Sequence, residues 1–361
     1  MAERAQSITS QSRSSLGALS LSPVWKRWLN YEFWPFYLLY IPAYFYWFFL
    51  ALKARHPTYF TAVNPLMNNS GALESSKHHY LKKLPHAWIP TTVRIPEKTP
   101  ADVGLRLFEQ SNIHFPLVLK PDCGERGKGV YVIASKNEFV EKINRLSVNA
   151  ALMQSYCDYP NEAGIMFYRF PKAQKCHISS ITTKAFCTLR GNGRDTLGEL
   201  ISQNERIYHR RKMLKTKFDD QWNRVLEEGE SFLVEPVGSH NLGTKFMDSC
   251  HLNAPRLEDL ITHWANQLPG LYYGRFDIKF KNWESLLEGK DFKIIEINGV
   301  NAEPTHIYDP KCKLVKAYQD IFFHMDIIYE LSKQNRALGY RPKPLFPFLT
   351  ELIKTATQTA V

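Results

Sequence analysis

Two apolar runs in the last third of the chain carry oxygen-bearing side chains at matching places. They are Arg275-Phe276-Asp277-Ile278-Lys279-Phe280 and Lys293-Ile294-Ile295-Glu296-Ile297-Asn298-Gly299. Strand side chains alternate between faces, so Glu296 and Asn298 share one face, while Asp277 stands among Phe276, Ile278 and Phe280. A carboxylate on a buried strand is costly unless something compensates it. Two compensations are open. One is a set of lysine salt bridges at a sheet edge. The other is a hard divalent cation with nucleotide phosphates, because magnesium takes a few carboxylate oxygens and leaves its other positions to phosphate.

A second motif bears on that choice. Leu117 to Val130 reads as strand, glycine-rich turn and strand, with the apolar run from Phe115 to Leu119 resuming at Gly129 to Ala134. Gly124, Gly127 and Gly129 permit positive φ and close backbone approach, so successive N–H groups can face a phosphate. Lys120 ends the first strand, where its ammonium can meet phosphate as a point charge. The spacing is not that of a Walker loop, and a strand follows rather than a helix. An ordinary hairpin turn is the plain reading of the glycines alone.

Together with RGNGRDTLGELI at 190–201 and GSHNLGTKFMD at 238–248, the order and spacing of these motifs resemble the ATP-grasp superfamily of carboxylate–amine ligases. Within it the chain is similar to the cyanophycin synthetase-type branch and, more distantly, to D-alanine–D-alanine ligase, over roughly residues 75–325. The resemblance implies an α+β fold in which two subdomains clamp ATP. It also implies an amino acid or small carboxylate that is activated as an acyl phosphate and opened by an amine acceptor. Asp277, Glu296 and Asn298 would then hold magnesium, and Arg275 would stabilise charge at the transferring phosphoryl or tetrahedral centre. Lys120 and Lys77 would contact phosphates, although a solvated helix face also accounts for Lys77. Gln154 and the backbone near Ser155 and Tyr156 would read the adenine edge, and Glu162 would receive the ribose hydroxyls. Kinase-like phosphoryl transfer on the same fold and a non-catalytic ATP-binding scaffold remain alternatives.

The match has gaps. The stretch Gly299 to His306 lacks the Gly- and Ser-containing turn that receives a substrate carboxylate in D-alanine–D-alanine ligases, so dipeptide specificity does not transfer. The N-terminal α/β domain that usually precedes this fold is expected to be missing or much reduced. The charged stretch from Ile207 to Glu228 resembles an insertion of the cyanophycin-type branch and is expected to be helical.

Phe33 to Leu52 is an uncharged run of 20 residues, 11 of them aromatic, interrupted by Pro35 and Pro42. Its length reaches across a hydrocarbon core, but its aromatics favour an interface and its prolines break backbone bonds that lipid cannot satisfy. A spanning helix, a kinked interfacial helix and a buried helix of the fold all stay open, with membrane association as the expectation. Residues 1–100 hold 11 Lys/Arg against 4 Asp/Glu, a surplus of +7 out of the chain's +11. This favours an anionic membrane surface. No nucleic-acid recognition element accompanies the charge. The expected layout is a disordered leader over 1–22, a hydrophobic membrane-associated segment over 23–56 and a proline-rich connector that begins the first lobe over 57–100. The ATP-grasp domain follows over 101–335, with a tail over 336–361. The six scattered cysteines suggest reduced thiols. The active domain is expected on the cytoplasmic side of the membrane, and a homo-oligomer is compatible with the sequence.

Overall fold

The computed structural model describes residues 29–73, 76–124, 129–146 and 149–359. The leader expected over 1–22, Lys26, Arg27 and Gly127 lie outside them. The hydrophobic run is not one helix. A 3₁₀ turn at Tyr31–Phe33 leads to α1 (Phe36–Leu39) and then α2 (Ile41–Ala54), with Pro35 capping α1 and Pro42 in the first turn of α2. Proline fits the first turn of a helix, where its missing N–H costs nothing, so the two prolines start helices here. Among the described residues no helix is long and apolar enough to cross a membrane. Part of the run faces inward: Leu39 and Leu50 are fully buried, each worth about 1.5–3 kcal/mol of apolar burial. Tyr31 donates its hydroxyl to the Ile307 carbonyl at 2.6 Å, and Tyr318 donates to the Leu39 carbonyl at 3.0 Å. The segment is therefore stitched to the body of the protein.

After the short helix α3 (Lys77–Leu81), the first lobe runs through β1 (Thr92–Ile95), α4 (Ala101–Glu109), β2 (Leu117–Pro121), β3 (Tyr131–Ile133), α5 (Lys136–Leu146) and β4 (Ala151–Ser155). Its sheet is antiparallel in the order β1-β4-β2-β3. Leu117, Leu119 and Met153 bury one face of that sheet with Phe139 and Ile143 of α5.

The second lobe begins with β5 (Asn161–Tyr168) and β6 (His177–Ala185). The chain then leaves to build a small unit from β7 (Cys187–Arg190), α6 (Leu197–Gln203), α7 (Arg211–Lys217) and β8 (Ser231–Glu235). The helix expected over 207–228 is confined to α7 with short 3₁₀ turns on either side. The lobe resumes with β9 (Lys245–Asp248), α8 (Pro255–Asn266), β10 (Tyr273–Phe280), α9 (Trp283–Leu287) and β11 (Phe292–Asn298), giving an antiparallel sheet ordered β11-β10-β5-β6-β9. Phe276, Ile278 and Phe280 turn their common face into a core with Trp264. The alternation that buries them puts Arg275 and Asp277 on the opposite face. The long helix α10 (Leu314–Ala337) covers the N-terminal segment, and α11 (Leu345–Thr359) ends the described chain.

Candidate functional site

A cavity of about 840 Å³ opens between the lobes. That size lies toward the top of the ~300–1,000 Å³ range of small-molecule sites. Lys77, Lys120, Gln154, Ser155, Tyr156, Glu162, Arg275, Asp277, Glu296 and Asn298 all border it, so residues spread over more than two hundred positions converge on one space. Gly124 and Gly129, with φ of 151° and 73°, flank the part of the glycine-rich loop that is outside the description.

β10 and β11 pair so that Asp277 lies directly opposite Glu296 and Arg275 opposite Asn298. Between Asp277 and Ile278 the register shifts, leaving Ile295 as the extra residue of a bulge. The shift frees the Ile295 carbonyl, which accepts from Lys120 Nζ at 3.2 Å. A lysine of the first lobe therefore reaches β11 of the second. Asn298 Nδ2 donates to Asp277 Oδ2 at 2.8 Å. Arg275 grips the same carboxylate through Nε at 3.1 Å and Nη2 at 2.9 Å, and sends Nη1 to the Glu303 carbonyl at 3.2 Å. Burial pushes the Asp277 carboxyl upward, but Arg275 and Lys184 outweigh it and hold the group below the usual carboxylate range.

The donor set is two carboxylates and a carboxamide. Among the described residues no group of three or more His, Cys, Asp or Glu comes together. Such a sparse, hard-oxygen set suits magnesium, which draws its remaining ligands from phosphate and water, better than a cation needing an all-protein cage.

Lysines surround these oxygens. Lys77, at the start of α3, bonds the Gly124 carbonyl at 2.7 Å and pairs with Glu296 at 3.4 Å, so it is turned into the site rather than solvated. Lys120 is buried, and Gln154 Oε1 accepts from it at 3.0 Å. Desolvation, reinforced by Lys77, pushes its ammonium down to about 8 despite the opposing carboxylates. Gln154 Nε2 donates to Thr92 at 2.9 Å. The side chain expected to read a base edge is thus committed to holding Lys120. Glu162, expected ahead of its strand, sits inside β5 and pairs with Lys184 at 2.7 Å.

Three contributors escaped the sequence reading. Lys184 on β6 also lies 3.7 Å from Asp277, and Lys279 on β10 borders the cavity near the Tyr156 ring. A lysine inside an otherwise half-buried strand was the available signal for both. Glu32 was harder to see, because it precedes the aromatic run and its partners are remote. It is 3% exposed and bonds Arg206 of the small unit and His240 Nε2, the latter at 3.0 Å. Burial raises the Glu32 carboxyl, and His240 and Arg206 more than reverse that. The pair ties the N-terminal segment across the mouth of the cavity.

No known protein-family profile matches the chain, and no curated protein does. Among solved structures it is similar to the ATP complex of D-alanine–D-alanine ligase from Bacillus anthracis, at 14% identity and TM-score 0.40, over 73% of this chain and 68% of that one. It is similar to the VanG D-Ala:D-Ser ligase from Enterococcus faecalis at 10% identity and TM-score 0.42, over 73% and 62%. A bifunctional glutathione synthetase from Pasteurella multocida matches at 12% identity and TM-score 0.37, over 71% of this chain. The chain spans only 35% of that enzyme's length.

Proposed function

We propose that this chain is an ATP-grasp carboxylate–amine ligase, using ATP and magnesium to activate a carboxylate as an acyl phosphate that an amine then opens. The observation that carries the reading is the facing pair Asp277 and Glu296, with Arg275 fastened across Asp277 and Lys120 arriving from the other lobe. Phosphoryl transfer asks a protein mainly for positioning and charge neutralisation. Asp277, Glu296 and Asn298 would hold the magnesium, which when bound supplies neutralising charge between phosphate oxygens. Lys77 and Lys120 present ammonium groups to the phosphates. Arg275 offers a planar guanidinium to the charge that develops on the transferring group. Glu162, steadied by Lys184, offers a carboxylate on the nucleotide side, and the acyl phosphate would be held between the lobes. The carboxylate nucleophile needs no general base, because it is ionised at neutral pH.

The test is magnesium-dependent ADP release against a pool of amino acids and small carboxylates with hydroxylamine present, comparing wild type with Glu296→Gln. A hydroxamate that disappears in the variant supports the ligase and names the carboxylate. ADP without hydroxamate points to kinase-like transfer. ATP binding without ADP across a broad metabolite screen points to a scaffold.

Attachment to a membrane interface, with the site on the cytoplasmic side, is a second part of the reading. One observation favours it. Ile41, Tyr44, Phe45, Phe48, Phe49 and Leu52 form a single exposed face of α2, Phe45 being 75% accessible. Monomeric soluble proteins rarely leave so continuous an apolar strip uncovered.

A further inference from the structure

Besides the charged residues described above, the cavity has an apolar and aromatic lining, a chamber walled by the N-terminal segment and α10. Trp34, Phe36 and Tyr40 of the N-terminal segment line one side, and Ile321, His324, Met325 and Ile328 of α10 line the other. The spacing of the α10 residues puts them on one helix face. The Glu303 carboxylate is part of the same lining. Its Oε1 accepts from the Tyr308 hydroxyl at 3.0 Å, and the Tyr40 hydroxyl also bonds it. The chamber thus combines a carboxylate with aromatic rings.

His324 adds a second, independent mark of a ligand. It is 3% exposed, and its Nδ1 meets the Tyr273 hydroxyl at 3.0 Å. Its Nε2 is buried with no hydrogen-bond partner. Leaving such an atom unpaired is costly, so it is a place where a bound molecule gains a hydrogen bond. Burial pushes the imidazole down to about 3, so it is neutral.

We infer that this chamber binds a cationic amine carried on an apolar or aromatic body, and that this amine is the acceptor of the ligation. Aromatic faces attract an ammonium, the Glu303 carboxylate neutralises it, and the α10 face takes the apolar body. An apolar carboxylate would instead meet Glu303 with its own charge. The acceptor role rests on the ligase reading; the binding does not. In the reaction the ammonium gives one proton to Glu303, freeing the nitrogen lone pair to attack the acyl carbon. The C–N bond forms, the C–O bond to phosphate breaks with its electron pair leaving on phosphate, and phosphate takes the second nitrogen proton.

The experiment is titration calorimetry on the full chain with 2-phenylethylamine, ethylamine and 3-phenylpropionate, each with and without magnesium and the imido analogue of ATP. Phenylethylamine is expected to bind at least tenfold more tightly than either comparison. Glu303→Gln should remove that preference while leaving the Kd of the ATP analogue unchanged, which also reports that the variant is folded. Met325→Trp, which fills the chamber and keeps Glu303, should weaken phenylethylamine similarly. Equal or tighter binding of 3-phenylpropionate, or an undisturbed preference in both variants, overturns the inference. Failure of wild type to bind the ATP analogue would sink the ligase reading instead, and the amine titrations would still decide the chamber.

Discussion

Lys184 stands between two buried carboxylates, 2.7 Å from Glu162 and 3.7 Å from Asp277. It links β5 to β10 across the cavity wall. Burial alone would lower its ammonium, but Glu162 and Asp277 raise it above the ordinary lysine value. Lys184→Met should therefore strand Glu162, which is 5% exposed, while Arg275 and Asn298 still hold Asp277. Breaking a buried pair by removing one partner costs about 3–5 kcal/mol. We expect a drop of that order in urea unfolding. Much of it should return in Lys184→Met combined with Glu162→Gln, where the stranded charge is gone. Additive losses in that double-mutant cycle would show that Lys184 and Glu162 do not act as a pair.

Lys120 makes the opposite trade, and its pH dependence follows from the sign of the shift. Its folded-state value of about 8 lies below the ordinary lysine value of 10.5. Between these values the unfolded chain binds more protons, so this group's burden on the fold is fully present below about pH 8 and fades as pH rises toward 10.5. The burden is on the order of 3 kcal/mol. Nucleotide-free wild type should thus gain stability relative to Lys120→Met as pH climbs through that window, measured as the difference in Tm between the two proteins. At neutral pH the variant should be at least as stable as wild type, yet bind ATP far more weakly. Phosphate should also restore the proton. ATP binding near pH 8 should take up protons, read by calorimetry in two buffers of different ionisation heat, and the uptake should vanish in Lys120→Met.

Gly164 is paired opposite Asp277 on β5. A Cβ there would lie 2.9 Å from Arg275 Cδ and 3.0 Å from Asp277 Oδ1, closer than real Cβ contacts allow. The bare backbone therefore lets the guanidinium lie flat against its carboxylate. Gly164→Ala should lower kcat for ADP release by tenfold or more, because sub-ångström misplacement of a charge-stabilising group is expensive. The Kd for ATP should change much less. An unchanged kcat would mean that Arg275 does not need this seat.

The strands β10 and β11 were legible because their period-two pattern is local: Asp277, Glu296 and Asn298 could be placed on faces without knowing the fold. The strand–turn–strand around Lys120 was legible for the same reason, and its predicted strands match β2 and β3 to within a few residues. What stayed hidden depends on long-range geometry. No local pattern announces that the bulge at Ile295 turns a carbonyl toward Lys120, or that Glu32 finds Arg206 and His240 far along the chain. The hydrophobic run misled in a specific way. Its prolines announced the interruption, but apolarity alone did not show that its helical period gives it two faces, one against α10 and one outward. Deleting residues 1–55 is consequently a poor probe of attachment, since it also removes Glu32, Trp34, Phe36 and Tyr40 from the cavity wall.

The outward face of α2 offers a cleaner probe. Phe45 and Phe48 are 75% and 58% exposed, and neither ring belongs to the buried clusters that hold α2 against α10. Inserting the two rings into a lipid interface would gain about 1.5–3 kcal/mol each by apolar burial. Phe45→Ser with Phe48→Ser should then lower partitioning onto phosphatidylcholine–phosphatidylserine vesicles by roughly a hundredfold, since each 1.4 kcal/mol is about tenfold. Both proteins should partition more weakly onto vesicles lacking phosphatidylserine, where the surplus of N-terminal lysine and arginine has no anionic surface to meet, with a similar ratio between them. ADP release in solution should be unaffected, because neither residue borders the cavity. Wild-type protein that fails to sediment with either vesicle would remove the membrane part of the reading. It would leave the α2 face to be covered by another protein, and the ligase chemistry would stand untouched.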